Sequence, residues 1–249
     1  MKKNLDRGQH FLIDKNILEK EIDISKISKE DKIIEIGCGN GNLTKELIKK
    51  PGQVLGFEID KRYNEELKGL EKKFENLKII YDDATKYSWE EFNKIISNIP
   101  YFLGEKIILK SIKEEIPFLV LIVGKNFKEI IEKNSSKSGI LTNLFYNFKP
   151  IQKVEKRNFS PPPRVNSWLI KLERKEQTKI LEFIKYILKR KGKIKNAIIY
   201  GLVEQGYTKN ESRKVLTKLK LNEKTLEKPT SKITGKLILR IHDKIKKFL

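Results

Sequence analysis

Residues 35–41 read Glu-Ile-Gly-Cys-Gly-Asn-Gly, with three glycines at alternate positions. The run Lys32-Ile33-Ile34 before them predicts a short buried strand, and residues 42–48 after them predict the first turns of a helix. Glycine permits a sharp turn between two such elements and leaves main-chain atoms open to a ligand. The G-x-G-x-G spacing also differs from the G-x-G-x-x-G of dinucleotide-binding folds. The stretch therefore predicts a strand–loop–helix unit that meets its ligand through the backbone.

An acidic residue, Glu58, ends the next apolar run, residues 54–57. A carboxylate at the end of the second strand of such a fold can accept hydrogens from both hydroxyls of a ribose. The glycine loop and Glu58 together predict a site for S-adenosylmethionine.

The first 150 residues alternate strand-like and helix-like segments, which predicts a parallel, doubly wound α/β sheet of the Rossmann-like type. The predicted strands are 33–36, 54–58, 77–81, 95–98 and 118–123. The predicted helices between them are 43–49, 61–74, 89–92 and 105–113. Ligands of such sheets bind at the carboxyl ends of the strands. The chemically useful residues found there are Gly37, Glu58, Asp83 and Asn98.

The pattern changes after residue 150. Residues 151–157 and 165–172 predict edge strands, and between them the three prolines of residues 159–164 predict a stiff loop without ladder pairing. Beyond residue 175 the segments 179–191, 196–205, 209–219 and 232–248 predict helices with basic faces. We expect a methyltransferase domain over residues 1–174 and a small helical domain over residues 175–249.

The net charge of +21 is concentrated near the C-terminus. Residues 175–249 hold 21 Lys+Arg and 7 Asp+Glu, a net of +14, which leaves +7 for the other 174 residues. This asymmetry favours a nucleic acid partner over a merely lysine-rich composition. One cysteine excludes an intrachain disulfide, no Cys/His cluster suggests a metal, and no apolar run approaches membrane-spanning length. We expect a cytoplasmic protein.

Residues 97–101 read Ser-Asn-Ile-Pro-Tyr and follow the fourth predicted strand. An exocyclic adenine amine is a poor nucleophile because its lone pair is delocalised into the ring. Two acceptors aimed at its N–H bonds, the Asn98 side-chain oxygen and the Pro100 carbonyl, would turn that lone pair towards a sulfonium methyl. Tyr101 would stack on the flipped base. The alternative is a strand that ends in a proline turn with a packed tyrosine.

Three other positions are ambiguous. Asp82-Asp83 can accept the amino hydrogens of a cofactor adenine or form a solvated acidic turn. His10 can contact a ligand or lie on the surface. Cys38 and His242 are interpreted as structural.

Taken together, these motifs resemble the ribosomal RNA adenine N6-dimethyltransferase family, which includes small-subunit dimethyltransferases and the Erm enzymes. The resemblance runs over residues 8–172 in matching order. Its segments are Gly8-Gln9-His10-Phe11-Leu12, 35–44, Glu58-Ile59-Asp60, Asp82-Asp83-Ala84, Asn98-Ile99-Pro100-Tyr101 and 159–167. Residues 189–193, with Asn196-Ala197, are similar to the basic helix that opens the family's C-terminal domain.

The resemblance implies N6,N6-dimethylation of adenines in a small ribosomal subunit precursor, with S-adenosylmethionine as the methyl donor. Nothing in the sequence demands a dimer, so we expect a monomer. The implied cofactor residues are His10, Leu12, Gly37, Glu58, Asp83 and Asn98. The implied catalytic residues are Asn98, Pro100 and Tyr101. The implied substrate-binding residues are Tyr101, Phe159 on the other side of the stacked base, Arg190 and Lys191. An Erm-like enzyme acting on large-subunit RNA is the nearest alternative.

The chain departs from the family pattern at Cys38, in Phe102-Leu103-Gly104, and at Gly124 and Asn126. These departures leave the predicted cofactor site intact but bear on how the target is positioned, and loss of the second methylation or of activity is the alternative that they open. They motivate a further alternative, a non-catalytic RNA-binding factor in ribosome assembly. A small-molecule methyltransferase is disfavoured by the basic C-terminal segment.

Overall fold

The computed structural model describes residues 9–249, so Gly8 of the N-terminal motif lies outside the described residues. The chain forms two compact units. The first comprises the described residues up to Glu132 together with Tyr146–Arg174, and the second comprises Lys133–Phe145 with Lys175–Leu249. Residues 133–145, which the sequence placed in the first domain, thus group with the basic C-terminal segment.

The first unit is built on a seven-stranded sheet. Its strands are β2 Lys32–Ile36, β3 Gln53–Phe57, β4 Leu77–Ile80, β5 Lys94–Asn98, β6 Phe118–Gly124, β7 Tyr146–Val154 and β9 Ser167–Arg174. The strand order is β4-β3-β2-β5-β6-β9-β7. Five strands are parallel, whereas β9 runs antiparallel between β6 and β7. A separate two-stranded ladder pairs β1 (Phe11–Leu12) with β8 (Phe159–Ser160).

The predicted α/β class and the five parallel strands are confirmed. These strands can be predicted from the sequence because parallel strands that are covered on both faces consist of nearly continuous apolar residues. In β6, for example, every residue from Leu119 to Gly124 is buried.

The helices of the first unit lie between the strands. Their bounds are α1 Lys15–Ser25, α2 Asn42–Leu47, α3 Asn64–Glu71 and α4 Gly104–Lys113, with α5 at Lys125–Lys133. Helix α1 begins at Asp14, whose carboxylate accepts the Ile17 backbone N–H at 3.2 Å.

The predicted helix at 89–92 does not form, because this segment is a turn. Trp89 is fully buried and its indole N–H donates to the Ala84 carbonyl at 3.0 Å. Lys110 lies over the ring at 4.8 Å. A four-residue segment gains too little from helical hydrogen bonds to compete with this side-chain anchoring.

Two predictions about residues 151–172 are also wrong. Both segments were predicted to be edge strands. Of the two, β7 lies at an edge of the sheet, whereas β9 has partners on both sides. The fully buried Leu169, Ile170 and Leu172 are consistent with that internal position. The loop expected to lack ladder pairing begins with Phe159 and Ser160, which do pair with the N-terminal strand. Proline lacks a backbone N–H only at its own position, and these two residues precede the first proline.

The second unit is helical: α6 Lys137–Phe145, α7 Lys179–Lys189, α8 Ile194–Glu204, α9 Lys209–Lys218, α10 Glu223–Leu226 and α11 Gly235–Ile245. Helices α7, α9 and α11 begin at threonines whose hydroxyls accept backbone N–H groups, Thr178, Thr208 and Thr234. The close approach of α11 to α6 requires glycine, since a Cβ on Gly235 would lie 2.7 Å from Ile140. Among residues 9–249, no helix is long and apolar enough to cross a membrane.

Candidate cofactor and target site

A cleft opens at the carboxyl ends of the parallel strands, where the sequence predicts the ligand. Most of the predicted site residues of the first unit line it: His10, Leu12, Gly37, Glu58, Asp83, Asn98, Pro100 and Tyr101. They come from five separate segments of the chain, which the sheet topology brings together.

The glycine loop has a backbone that other residues rarely adopt. Gly37, Gly39 and Gly41 have φ angles of +80°, +54° and +74°. A Cβ on Gly39 would lie 2.6 Å from the ring of Phe11, so this position also lacks room for a side chain. The loop is held at its start by the N–H groups of Gly37 and Cys38, which donate to the carbonyl of Phe57.

Glu58 is buried, and each of its carboxylate oxygens accepts a backbone N–H. Gly39 donates to Oε2 and Asp60 donates to Oε1, both at 2.7 Å. The carboxylate therefore fixes the glycine loop against the end of β3. A carboxylate has about four acceptor positions, so two remain for hydroxyl groups of a ligand in the cleft.

The Asn98–Tyr101 turn is held beside the glycine loop by Ser97. This buried hydroxyl donates to the Ile36 carbonyl at 2.7 Å and accepts the Ile36 N–H at 3.2 Å. Gly37 consequently faces Pro100, with 3.7 Å between an ideal Cβ and the proline ring. The Oδ1 atom of Asn98 is buried and has no hydrogen-bond partner. The Pro100 carbonyl accepts the Leu103 N–H at 2.8 Å and keeps a second lone pair.

The N-terminal segment is tied to the cleft, although its sequence motif is only a weak signal for this. Gln9 bonds to Asp60 and to the guanidinium of Arg62. Asn42 donates to the carbonyl of Leu12 at 2.8 Å. Hydrogen bonds from Arg62 hold the pKa of the Asp60 carboxyl down at about 2. At neutral pH the N-terminal segment is therefore bound to an Asp60 carboxylate that stays ionised.

His10 and the acidic pair also line the cleft, with protein partners of their own. The His10 ring nitrogen Nδ1 lies 2.8 Å from the Pro161 carbonyl oxygen. Asp83 accepts hydrogen bonds from the backbone and hydroxyl of Thr85, which lower its pKa, and pairs with Lys106 at 3.2 Å. Asp82 pairs with Lys86. Asp83 is half-buried and keeps unused lone pairs.

Two of the departures from the family pattern have a packing reason. A Cβ on Gly124 would lie 3.2 Å from the ring of Tyr101, so the tyrosine packs on bare backbone there. The Tyr101 hydroxyl bonds to Ser167 Oγ at 2.6 Å. A Cβ on Gly104 would lie 3.2 Å from the ring of Phe127. These glycines accommodate neighbouring rings and keep Tyr101 at the cleft.

Phe159 does not join the cleft. It is 4% exposed and belongs to the hydrophobic core, where its strand pairs with Leu12. That Phe159 lies on the other side of the stacked base stays a prediction. Arg190 and Lys191 are exposed residues just after α7, in the second unit.

Two apolar side chains that the sequence analysis did not assign to the site also line the cleft. Ile59 is 54% exposed and Phe102 is 71% exposed. Both directly follow a predicted site residue or turn, and an apolar residue in such a position is a usable signal. Exposed apolar groups of this kind suit the planar faces of bases.

Glu35, behind the glycine loop, is a buried carboxyl that also lines the cleft. Thr44 Oγ1 donates to its Oε2 at 2.7 Å. Burial raises its pKa to about 7, and the Glu58 charge adds to the rise. Ionised Glu35 is thus disfavoured in the folded protein but not in the unfolded chain.

We expect Glu35→Gln to be more stable than the natural chain at pH 8 and similar at pH 5. A raised carboxyl pKa lowers the free energy of unfolding as pH rises from about 4.5 to about 7, by up to about 3 kcal/mol. Glutamine keeps an acceptor for Thr44 and removes the titration. Denaturant unfolding from pH 5 to 8 measures the difference, with the exposed Glu90→Gln as control. If the free energy of unfolding changed equally with pH in Glu35→Gln and in the natural chain, the raised pKa of Glu35 would be contradicted.

The sheet order, the glycine loop and the strand-end carboxylate together define a class I methyltransferase fold with an S-adenosylmethionine cleft. Residues 1–234 match the family described as ribosomal RNA adenine dimethylase. The chain belongs to that family. The predicted enzyme class, an rRNA adenine dimethyltransferase that uses S-adenosylmethionine, is confirmed by this membership.

Similar proteins are found in archaea and bacteria. A probable ribosomal RNA small subunit methyltransferase A of Methanococcus maripaludis is 34% identical, over 98% of this chain and 100% of that protein. A ribosomal RNA small subunit methyltransferase A of Clostridium botulinum is 36% identical, over 71% of this chain and 69% of that protein. A crystal structure of a dimethyladenosine transferase from Plasmodium falciparum has a TM-score of 0.66 at 26% identity, covering 96% of this chain and 98% of that one. The 23S rRNA methyltransferase ErmE, at 18% identity and a TM-score of 0.63, shares the fold.

Proposed function

We propose that this protein transfers two methyl groups from S-adenosylmethionine to the N6 atom of adenines in small-subunit ribosomal RNA. The observation that carries the proposal is Asn98 Oδ1, a buried acceptor without a partner at the end of β5, beside the Pro100 carbonyl. An unpaired buried acceptor costs free energy, and a donor on the target amine would satisfy it. The small-subunit assignment is supported by the names of relatives aligned over most of their length.

For the cofactor, we assign the ribose to Glu58, whose remaining lone pairs face the cleft. Asp83 would accept the adenine amino hydrogens and Ile59 would pack on the ring. The rest of the cofactor would be lined by Gly37, His10, Leu12 and Asn98. S-adenosylmethionine supplies an electrophilic methyl group on a sulfonium, so no strong base is required of the protein.

For the target, Asn98 Oδ1 and the Pro100 carbonyl would each accept one hydrogen of the adenine amine. This pairing favours a pyramidal nitrogen and directs its lone pair, and holding both reactants in line supplies much of the rate. Tyr101, which packs on Gly124 and is fixed by Ser167, would offer its other face to the flipped base. Each transfer would form one bond from the nitrogen to the methyl carbon and break the bond from that carbon to sulfur, which leaves the thioether S-adenosylhomocysteine; the nitrogen would release one proton to solvent.

The second unit would bind the RNA backbone. The Arg190 guanidinium lies 4.2 Å above the Tyr200 ring centre and bonds to the Tyr186 hydroxyl, which holds it in one orientation. A guanidinium has five N–H donors, so several stay available for phosphate.

We expect Arg190→Ala and Lys191→Ala each to weaken RNA binding and to reduce the slope of log K against log salt by about 1. Filter binding of small-subunit RNA between low and moderate salt measures the slope, and Glu204→Ala, on α8, serves as a control. If the salt dependence of RNA binding were unchanged in both variants, Arg190 and Lys191 would not belong to the RNA-binding surface.

The choice of RNA is tested by transfer of labelled methyl groups to undermethylated small subunits and, in parallel, to naked large-subunit RNA. Label in the small subunit alone supports the proposal. Label in the large-subunit RNA alone indicates an Erm-like enzyme. Tight, salt-sensitive RNA binding without label in either would favour the assembly-factor alternative. We further propose that the protein acts as a monomer and is located in the cytoplasm. Sedimentation of the protein with its RNA substrate tests whether it is a monomer.

A further inference from the structure

The proline-rich loop before β9 is held against the proposed target site at both of its ends. At its start, the Pro161 carbonyl oxygen lies 2.8 Å from Nδ1 of His10. At its end, Ser167 Oγ lies 2.6 Å from the hydroxyl of Tyr101, the side chain assigned to stack on the target adenine. Arg164 lies between these two contacts and is exposed. The loop therefore presents an arginine beside the cleft.

Two lysines are tied to the same loop through Asn166. The Asn166 carbonyl accepts the backbone N–H of Lys125 at 3.0 Å, and Asn166 Oδ1 accepts the backbone N–H of Lys156 at 3.2 Å. Lys125 directly follows Gly124, on which the ring of Tyr101 packs. Three cationic residues from three segments of the chain thus lie beside the target site. We call them the rim cations: Lys125, Lys156 and Arg164.

The rim cations are exposed and only weakly paired. The Lys125 side chain is 56% exposed and lies 3.6 Å from Glu129, which is long for an ion pair. In the part of the chain that the structure describes, no carboxylate lies within ion-pair distance of Lys156 or Arg164. The acidic residue before Lys156 pairs instead with Arg157, at 2.9 Å. Clustered positive charges without carboxylate partners favour an anionic ligand.

We propose that the rim cations bind the phosphates on both sides of the target adenine, an inference that rests on the proposed target site at Tyr101. A base that enters the cleft brings its own backbone to the mouth of the cleft, because it stays bonded to both neighbouring nucleotides. The phosphates of those nucleotides are therefore the anions that the substrate places there. The guanidinium suits two oxygens of one phosphate, and each lysine offers a single charge.

Phosphate contacts fix the position and the orientation of a nucleic acid strand without reading its sequence. The rim cations thus hold the strand while Asn98, Pro100 and Tyr101 hold the base. Their role is to bind substrate, so their removal should act on the affinity for RNA and not on the chemical step.

A lysine-rich chain exposes many charges that are merely solvated, so the test needs a matched set of cations. The exposed Lys72, Lys73 and Lys78 lie on or beside β4, at the opposite edge of the sheet from β7 and β9. Replacing these three with glutamine changes the net charge as much as replacing the three rim cations does. A difference between the two triple variants therefore reports position and not net charge.

Filter binding of small-subunit RNA at several salt concentrations compares the two triple variants. Glutamine at the three rim cations should reduce the magnitude of the slope of log K against log salt by about 3, one for each phosphate contact. Lys72→Gln/Lys73→Gln/Lys78→Gln should reduce it by less than about 1. Equal slopes in the two variants would overturn the proposal. Should the rim variant be unstable, Lys156→Gln alone should reduce the slope by about 1 and Lys78→Gln should not.

Methyl transfer to undermethylated small subunits separates phosphate binding from a disturbance of Tyr101. The rim variant should raise KM for RNA by about tenfold or more and leave kcat within about threefold of the natural value. A fall in kcat at unchanged KM would show that the substitutions displace the tyrosine and would refute phosphate binding. If the natural chain transfers no methyl group, the proposed function fails, whereas the salt dependence of RNA binding still tests the rim cations.

Ethylation of RNA phosphates locates the contacts along the strand. Ethyl groups on the phosphates next to the methylated adenine should weaken binding of the natural chain and should not weaken binding of the rim variant further. Natural binding that is insensitive to ethylation at those phosphates would contradict the proposal.

Discussion

Asn98→Ala is expected to reduce kcat for methyl transfer by about a thousandfold, which corresponds to about 4 kcal/mol of transition-state free energy. The substitution removes the acceptor that orients the amine lone pair while leaving the rest of the cleft in place. Single-turnover transfer of labelled methyl groups, at saturating RNA and cofactor, measures the change directly.

The effect should be confined to the chemical step. Asn98 Oδ1 makes no hydrogen bond in the fold, so its removal should not lower stability. RNA affinity should be unchanged and cofactor affinity less than about tenfold weaker. Asn147→Ala, an exposed position on β7, is the matched control and should behave like the natural chain. Transfer at the natural rate by Asn98→Ala would exclude the proposed arrangement of acceptors.

The second large effect is expected for Glu58→Gln, which should weaken binding of S-adenosylmethionine by about 100-fold, or about 3 kcal/mol. The carboxylate accepts N–H groups from Gly39 and Asp60 and still has lone pairs for two hydroxyls. An amide offers one oxygen, and its NH₂ group would face one of those backbone donors. The substitution therefore disturbs both the loop and the ribose contact.

Isothermal titration with S-adenosylhomocysteine measures this affinity without turnover. Glu66→Gln, an exposed carboxylate on α3, is the control and should bind normally. Denaturant unfolding of Glu58→Gln distinguishes a weakened site from an unfolded one. Normal cofactor affinity in a folded Glu58→Gln protein would mean that the ribose binds elsewhere.

The part of this site that the sequence predicts is the part that depends on strand ends. Gly37, Glu58, Asp83 and Asn98 each follow a buried apolar run, and parallel strands place their carboxyl ends together. No knowledge of side-chain packing is needed for that inference. It therefore succeeds even where the exact strand bounds differ by a residue.

The predictions that failed depend on burial, which local patterns do not determine. Residues 159 and 160 looked like part of an unpaired loop beside three prolines, but they pair with β1. Trp89 looked like part of an amphipathic helix, whereas its indole anchors a turn. The burial of Glu21 on α1 has no local signal at all. A single glutamate on a helix is usually solvated, and only the packing of α1 shows that this one is enclosed.

The central claim is that this cleft methylates the exocyclic nitrogen of adenine. The most direct test is mass spectrometry of nucleosides from undermethylated small-subunit RNA after incubation with the protein and S-adenosylmethionine. We predict N6,N6-dimethyladenosine, formed through N6-methyladenosine and absent with Asn98→Ala. Methyl groups on a ribose, on a ring nitrogen or on another base would contradict the account, because the Asn98 and Pro100 acceptors serve an exocyclic amine.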